Sequence, residues 1–281
     1  MTISACFIPC AGKGTRMGPV GKVIPKPLWP VFEKTMLEIQ LAYAKSLGCE
    51  NFYSNTHHLA EQIERKNIAN QLNIALIHER ELLGNGGNFH HLKARFPYLN
   101  KTLVMNPDVF LMMSERDWAG FLKKASKGSC LLLMSCEGGY NEVFIDESDN
   151  FLCVKPPSEG RESYLTYTGL SVIDLDSFPL VSGSSSFFET VVNPKINKTL
   201  TYIPKDPFEY WDFGTKELFE KGLRRLLSVQ SGQFWDFLSE KALVFKENAD
   251  DDSYIGKSGL LQMDASTLAI RESKEKEIIL L

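Results

Sequence analysis

The sequence predicts an α/β protein built on a Rossmann-like, doubly wound and mostly parallel sheet, with an antiparallel or mixed second half. Three observations carry this reading. Over the first 127 residues, short apolar runs alternate with amphipathic segments in a βαβα rhythm. A Gly-rich loop, Gly12-Lys13-Gly14, follows directly on the first apolar run, at the carboxyl end where such a sheet opens. Beyond about residue 128 the helical period fades and strand-like runs follow one another, separated by Gly, Asn, Asp and Pro.

Element by element, Ser4 to Cys10 reads as the opening strand. Thr35-x-x-Glu38 is a capping box, and Met36, Ile39, Tyr43 and Leu47 mark the inner face of a helix that Gly48 ends. A strand at Asn51 to Asn55, a polar helix from Leu59 to Gln71, a strand at Asn73 to His78 and a short helix carrying Phe89, Leu92 and Phe96 continue the alternation. Lys101 to Asn106 is the next strand, and Ser114 caps a helix whose Trp118, Phe121, Leu122 and Ala125 share one face. Strands are expected at Ser129 to Ser135, Glu142 to Ile145, Phe151 to Val154 and Tyr164 to Ile173. Residues 156–163 and 182–186 read as loops, and Thr215 caps a last strong helix with Leu218, Phe219, Leu223, Leu226 and Leu227 inward. No linker divides residues 1–240. We expect one domain with halves 1–127 and 128–240, followed by an extension, 241–281.

The chain has 281 residues, net charge −4 and no basic block, so its overall field does not favour nucleic acid or an anionic membrane. A small-molecule ligand fits better. The N-terminus has no basic, apolar signal pattern and no run nears the roughly 18 apolar residues of a membrane span, so a cytoplasmic protein is expected. The six cysteines lack C-x-x-C spacing and read as buried thiols. His57, His58, His90 and His91 complete no metal pattern and are assigned no function. Oligomeric state leaves no sequence signal.

Pro9-Cys10-Ala11-Gly12-Lys13-Gly14-Thr15-Arg16 is the decisive segment. Small residues let the backbone approach a nucleotide, and Lys13 and Arg16 bring cations to its phosphates. Two phosphate motifs fail here: G-x-x-x-x-G-K needs glycine where Phe7 stands, and G-x-G-x-x-G needs glycine where Met17 stands.

Gly12-Lys13-Gly14-Thr15-Arg16, eight residues, then Pro25-Lys26-Pro27-Leu28 resembles the signature of the sugar-1-phosphate nucleotidyltransferases, the nucleotide-sugar pyrophosphorylases. Further motifs follow in the family's order. Asn55 ends the second strand. Glu79 and Leu83-Gly84-Asn85-Gly86-Gly87 resemble the loop E-x-x-x-L-G-T-G-G, with Asn85 for threonine; Asn106-Pro107-Asp108 resembles N-G-D; Trp211-Asp212-Phe213-Gly214-Thr215 resembles W-x-D-x-G-T. The likeness is to the mannose-1-phosphate guanylyltransferase and N-acetylmuramate-1-phosphate uridylyltransferase branches.

The resemblance implies a glycosyltransferase-A-like nucleotidyltransferase fold with a sugar-phosphate-binding second half. It implies transfer of a nucleotidyl group from a nucleoside triphosphate to a sugar 1-phosphate, releasing pyrophosphate, in polysaccharide-precursor synthesis. It assigns phosphate contacts to Arg16 and Lys26, nucleotide contacts to Ala11, Gly12, Lys13, Gly14, Thr15, Glu79, Asn85, Gly86 and Gly87, and sugar-phosphate contacts to Lys155, Thr168 and Gly169. Asp108 and Asp212 would hold Mg2+, a cation that takes carboxylates and phosphate oxygens. Each aspartate also has a plainer reading, Asp108 as a cap and Asp212 as a turn residue before Thr215. Pro107 and Asn85 depart from the family pattern and motivate an alternative, an inactive nucleotide-sugar-binding or regulatory paralogue. A glycosyltransferase would show D-x-D, whereas position 106 is Asn.

Overall fold

The computed structural model describes residues 2–32, 34–229 and 231–240, and five short strands beyond residue 244. In chain order the first half comprises β1 Ala5–Pro9, the two-residue strands β2 Pro30–Val31 and β3 Lys34–Thr35, α1 Met36–Ser46, β4 Asn51–Thr56, α2 Ala60–Ala69, β5 Ile74–His78, α3 Gly84–Arg95, β6 Lys101–Met105, β7 Val109–Met112 and α4 Glu115–Ala125. The second half comprises β8 Cys130–Cys136, β9 Glu142–Ile145, β10 Phe151–Lys155, β11 Tyr164–Asp174, α5 Phe187–Thr190, β12 Leu200–Tyr202, β13 Glu209–Asp212, α6 Lys216–Val229 and α7 Gln233–Glu240.

Seven strands form the central sheet in the order β12-β8-β11-β6-β1-β4-β5. β11 runs antiparallel to both neighbours, and the other pairings are parallel. The expected mostly parallel sheet is present, and β8, β11 and β12 extend it in one piece across residue 128. β9 and β10 form a separate antiparallel hairpin. Beyond residue 244, β14 Phe245–Glu247, β15 Ser253–Gly256, β16 Leu261–Asp264, β17 Ile270–Glu272 and β18 Lys276–Ile279 pair in sequence order as an antiparallel meander.

Strand alternation sorts the core into two layers. Cys6 and Ile8 of β1 face α1, α4, α6 and α7 with Met36, Phe121, Phe219 and Phe234, whereas Ala5 and Phe7 face α3 and α5 with Phe89, Leu92 and Phe187. The predicted caps hold. Thr35 Oγ1 accepts the Glu38 N–H while Glu38 Oε2 accepts the Thr35 N–H at 2.9 Å; Ser114 Oγ accepts the Asp117 N–H at 3.1 Å; Thr215 Oγ1 accepts the Leu218 N–H at 3.2 Å. All six cysteines are free thiols, four of them buried. The short strands β7, β12 and β13 and the helix α7 had no counterpart in the sequence reading.

Candidate functional site

The parallel strands β6, β1, β4 and β5 end on one side of the sheet, and the loops that leave them enclose a cleft of about 410 Å3. Ala11, Gly12, Lys13, Gly14, Thr15 and Arg16 form one wall, and Lys26, Glu79, Asn85 and Asp108 reach it from other segments. Gly14 lies at φ +62°, a left-handed conformation that glycine adopts without steric cost. Gly12 is different: a Cβ there would meet no atom within 4 Å, so packing leaves that position open. Lys13 and Arg16 are exposed, and among the described residues their side chains have no ion-pair or hydrogen-bond partner.

A relay of hydrogen bonds fixes this loop to the neighbouring strand ends. The Cys10 N–H donates to Asn55 Oδ1 at 2.8 Å, Asn55 Nδ2 donates to Glu79 Oε1 at 2.6 Å, and the Leu83 N–H donates to Glu79 Oε2 at 3.0 Å. Glu79 is thus buried with both oxygens engaged, and it ties β1, β4 and the start of α3 together. Burial pushes the Cys10 thiol up to about 12, which keeps it protonated and unsuited to nucleophilic attack. His57 and His58 bond the backbone carbonyls of Glu79 and Gly21, each at 2.9 Å.

Asp108 and Asp212 are brought together by a two-stranded antiparallel ladder. β13 pairs with β7 so that Asp212 lies opposite Val109, and the Phe213 N–H donates to the Asp108 carbonyl at 2.8 Å. One point, the place a Cβ would take on Gly214, is 2.6 Å from Asp212 Oδ1 and 3.6 Å from Asp108 Oδ2. The two carboxylates therefore approach the same spot. Lys26, buried to 9 % exposure, forms an ion pair with Asp108 Oδ2 and donates to the Gly214 carbonyl at 2.7 Å. Asp212 Oδ1 accepts the Gly214 N–H at 2.6 Å and Oδ2 accepts the Tyr140 hydroxyl at 2.7 Å. Burial, reinforced by the Asp212 carboxylate, holds the Tyr140 phenol far above its ordinary pKa, so it remains a donor.

Two residues around these carboxylates escaped the sequence reading. Tyr140 sits in a turn with no periodic signal. Gln40 had one: it lies beside Ile39 on the inner face of α1, where a fully buried amide needs partners. Its Nε2 donates to the Asn106 carbonyl at 2.7 Å and also to the Val109 carbonyl, clamping the turn that carries Asp108.

Six residues expected at the site do not line the cleft: Asp212, which stops beside Gly214 at its edge, and five that lie elsewhere. Cβ atoms on Gly86 and Gly87 would come within 2.5 Å of the Ser186 carbonyl carbon and 2.7 Å of the Gly183 oxygen, so these glycines let α3 pack on the 183–187 segment. Thr168 is buried and donates to the Leu132 carbonyl at 2.9 Å. Gly169, at φ +83°, lies under the Asn106 side chain, 2.7 Å from Nδ2 to its would-be Cβ. Lys155 sits on the β9–β10 hairpin with its ammonium 5.5 Å from the Phe144 ring centre. The departures from the family pattern also have local uses: Asn85 Oδ1 accepts the Phe187 N–H at 3.1 Å, and Pro107 occupies the turn Gln40 clamps.

Residues 7–136 match the model of the nucleotidyl transferase family. The chain is 31% identical over 148 residues to D-glycero-alpha-D-manno-heptose 1-phosphate guanylyltransferase of Campylobacter jejuni, covering 51% of this chain and 64% of the relative. It is 25% identical over 228 residues to the mannose-1-phosphate guanylyltransferase catalytic subunit beta of Drosophila melanogaster, covering 77% and 61%. The chain thus spans less than two thirds of the length of these curated relatives. Among solved structures, HddC from Yersinia pseudotuberculosis superposes with TM-score 0.66 at 20% identity, over 80% of this chain and 100% of that one. A UDP-glucose pyrophosphorylase complexed with UDP-glucose gives 0.65 at 18%, over 81% and 99%. At those identities the likeness is one of fold. Residues 7–136, the stretch that matches the nucleotidyl transferase family model, carry the Gly-rich loop, Lys26, Glu79 and Asp108.

Proposed function

We propose that the protein transfers a nucleotidyl group from a nucleoside triphosphate, of guanine or uracil, to a sugar 1-phosphate, releasing pyrophosphate and forming an NDP-sugar. The observation that carries the proposal is the pairing of a cluster, Lys26 with Asp108 and Asp212 around Gly214, with an open glycine loop bearing the cations Lys13 and Arg16, which have no partner among the described residues. The names of the relatives, guanylyltransferases and a UDP-glucose pyrophosphorylase, supply the substrate class.

In the proposed reaction a phosphate oxygen of the sugar 1-phosphate attacks the α-phosphorus, the bond from that phosphorus to the β-bridging oxygen breaks, and pyrophosphate departs with the electron pair. The protein supplies no nucleophile, in keeping with a protonated Cys10. Two anions must meet while charge grows on the leaving group, so the work is positioning and neutralisation. Arg16 and Lys13 face the leaving phosphates, and Lys26 is held by Asp108 until a phosphate competes for it. Among the described residues no group of three or more metal-ligating side chains exists, so a cation would need ligand oxygens to complete its shell. Asp108 and Asp212, two carboxylates at one spot where a lysine ammonium already rests, fit a hard divalent ion such as Mg2+. When bound, that ion would neutralise triphosphate charge.

Residues 1–240 would form the catalytic unit and 241–281 an appended segment. No helix among the described residues is long and apolar enough to cross a membrane, and we assign the protein to the cytoplasm, where its anionic substrates would be dissolved. Pyrophosphate release, measured for each common triphosphate against a panel of sugar 1-phosphates with Mg2+, tests the proposal. Turnover is expected for at least one pair, falling roughly 100-fold or more in Arg16→Ala and Asp108→Asn. Folded protein that turns over no pair overturns it.

A further inference from the structure

On α3 the positions 84, 85, 88 and 92 share one face, and that face passes from the cleft into the core. Gly84 and Asn85 line the cleft, Leu92 is buried beneath the sheet, and Asn88 stands between them. Asn88 is 5 % exposed, it lines the cleft, and its Oδ1 is buried with no hydrogen-bond partner. Among the described residues its carboxamide makes no hydrogen bond at all. An amide buried in this way costs free energy unless something supplies its partners, and a core position one turn before Leu92 would ordinarily be apolar.

The surroundings identify the supplier. Among the described residues every cation lining the cleft comes from the segment 13–26, whereas α3 itself contributes the neutral Gly84, Asn85 and Asn88, with the exposed apolar Leu82 beside them and the Glu79 carboxylate already engaged by Asn55 and the Leu83 N–H. That wall suits the uncharged part of a nucleotide. A carboxamide matches a group that presents a donor next to an acceptor, as the N–H and C=O edge of a lactam base does. Asn85 shares the wall, but its oxygen is already taken by the Phe187 N–H.

We propose that Asn88 is a specificity-determining residue whose carboxamide hydrogen-bonds the edge of the nucleobase. The inference rests on the function proposed above and extends it to a residue outside the matched motifs.

The test uses the full chain and reads binding directly by calorimetry, with GTP, UTP, CTP and ATP and with inorganic tripolyphosphate, which has no base. Asn88→Ala should weaken the preferred triphosphate about 10-fold, the equivalent of roughly 1.4 kcal/mol, and flatten the discrimination among bases. Tripolyphosphate binding and the KM for sugar 1-phosphate should stay as in wild type. The melting temperature should stay level or rise, because an unpartnered buried amide has been removed; a structural asparagine would show the reverse. Asn88→Asp, which keeps the shape and loses the donor, should lose the same selectivity. An equal loss across all triphosphates and tripolyphosphate, unchanged selectivity, or an effect confined to the sugar 1-phosphate overturns the assignment. Wild-type protein that binds a triphosphate selectively and forms no NDP-sugar overturns the reaction while the Asn88 comparison still stands or falls on binding. Wild-type protein that binds no triphosphate overturns both.

Discussion

Gln40→Met isolates the device that aims Asp108. Gln40 is fully buried, and its single Nε2 donates to the carbonyls of Asn106 and Val109, which flank Pro107 and Asp108. Methionine keeps the volume and removes both donors, so two carbonyls lose a partner at about 1–3 kcal/mol each where they are out of water. Part of that is returned, because Gln40 Oε1 has no partner among the described residues and its removal relieves a buried polar atom. The net loss should be about 1–3 kcal/mol, readable as a lowered urea midpoint with an unchanged slope. With the clamp gone the 106–109 turn relaxes, and an ångström of displacement at Asp108 costs on the order of 100-fold in rate for a reaction run on positioning. The expected result is a kcat at least 10-fold lower together with a higher Mg2+ concentration for half-maximal rate. A variant that loses stability but retains wild-type kcat and Mg2+ dependence would refute the clamp as an aiming device.

Gly12→Ala should leave stability within about 0.5 kcal/mol of wild type while raising the KM for triphosphate, since nothing but ligand meets a Cβ there; Gly14→Ala, at φ +62°, should cost about 1 kcal/mol in thermal unfolding. Gly86→Ala should cost about 1–3 kcal/mol in denaturant unfolding because its Cβ meets the Ser186 backbone, and wild-type stability would refute the packing role. Asp117, buried on α4, accepts hydrogen bonds from the Tyr202 hydroxyl and the Lys205 and Asp206 N–H groups; burial raises its pKa, and those bonds outweigh it, so the carboxyl sits below the ordinary value. Its contribution is therefore complete above the unfolded pKa of about 3.9 and lost as pH falls through the lower folded value. Asp117→Asn should destabilise by about 2 kcal/mol at pH 7, the gap to wild type narrowing below about pH 4, and an equal gap at pH 7 and pH 3 in urea unfolding would contradict this.

What could be read from the sequence was whatever a local rule governs. α1 was legible because Thr35, Glu38 and the inward Met36, Ile39 and Tyr43 all point to the same helix, and the structure contains each of those contacts. The cleft residues were legible as an ordered set of motifs, of which Gly12 to Arg16, Lys26, Glu79 and Asp108 do converge. Two kinds of signal were not legible. A glycine that admits a ligand and a glycine that admits another backbone look alike in sequence, and only the approach of Ser186 assigns Gly86 to packing. The sugar-side expectation at Thr168 and Gly169 fell where β11 shifts register between Tyr167 and Ser171, which turns Thr168 inward to Leu132. Tertiary partners settle such positions, and a single sequence does not display them.

The convergence of Asp108 and Asp212, 104 positions apart, depends on two four-residue strands that carry almost no pattern of their own. Their register decides everything at the carboxylates, because a slip of one residue turns every side chain of β13 to the opposite face. The register is set from outside the ladder. Phe110, opposite Trp211, is fully buried and stacks on Phe234 of α7, which also packs against Trp211. Phe213 packs on Phe110 and on Phe219 of α6. One turn of each of these helices thus grips alternate aromatic residues of the ladder, and the intervening Asp212 points the other way, to Tyr140 and Gly214. On this argument α7, far from the Gly-rich loop in sequence, is a support for the carboxylate pair. Phe234→Ala should cost about 3–5 kcal/mol and raise the Mg2+ requirement of the surviving folded protein, whereas a folded variant with an unaltered Mg2+ response would mean that the β7 and β13 backbones hold their register unaided.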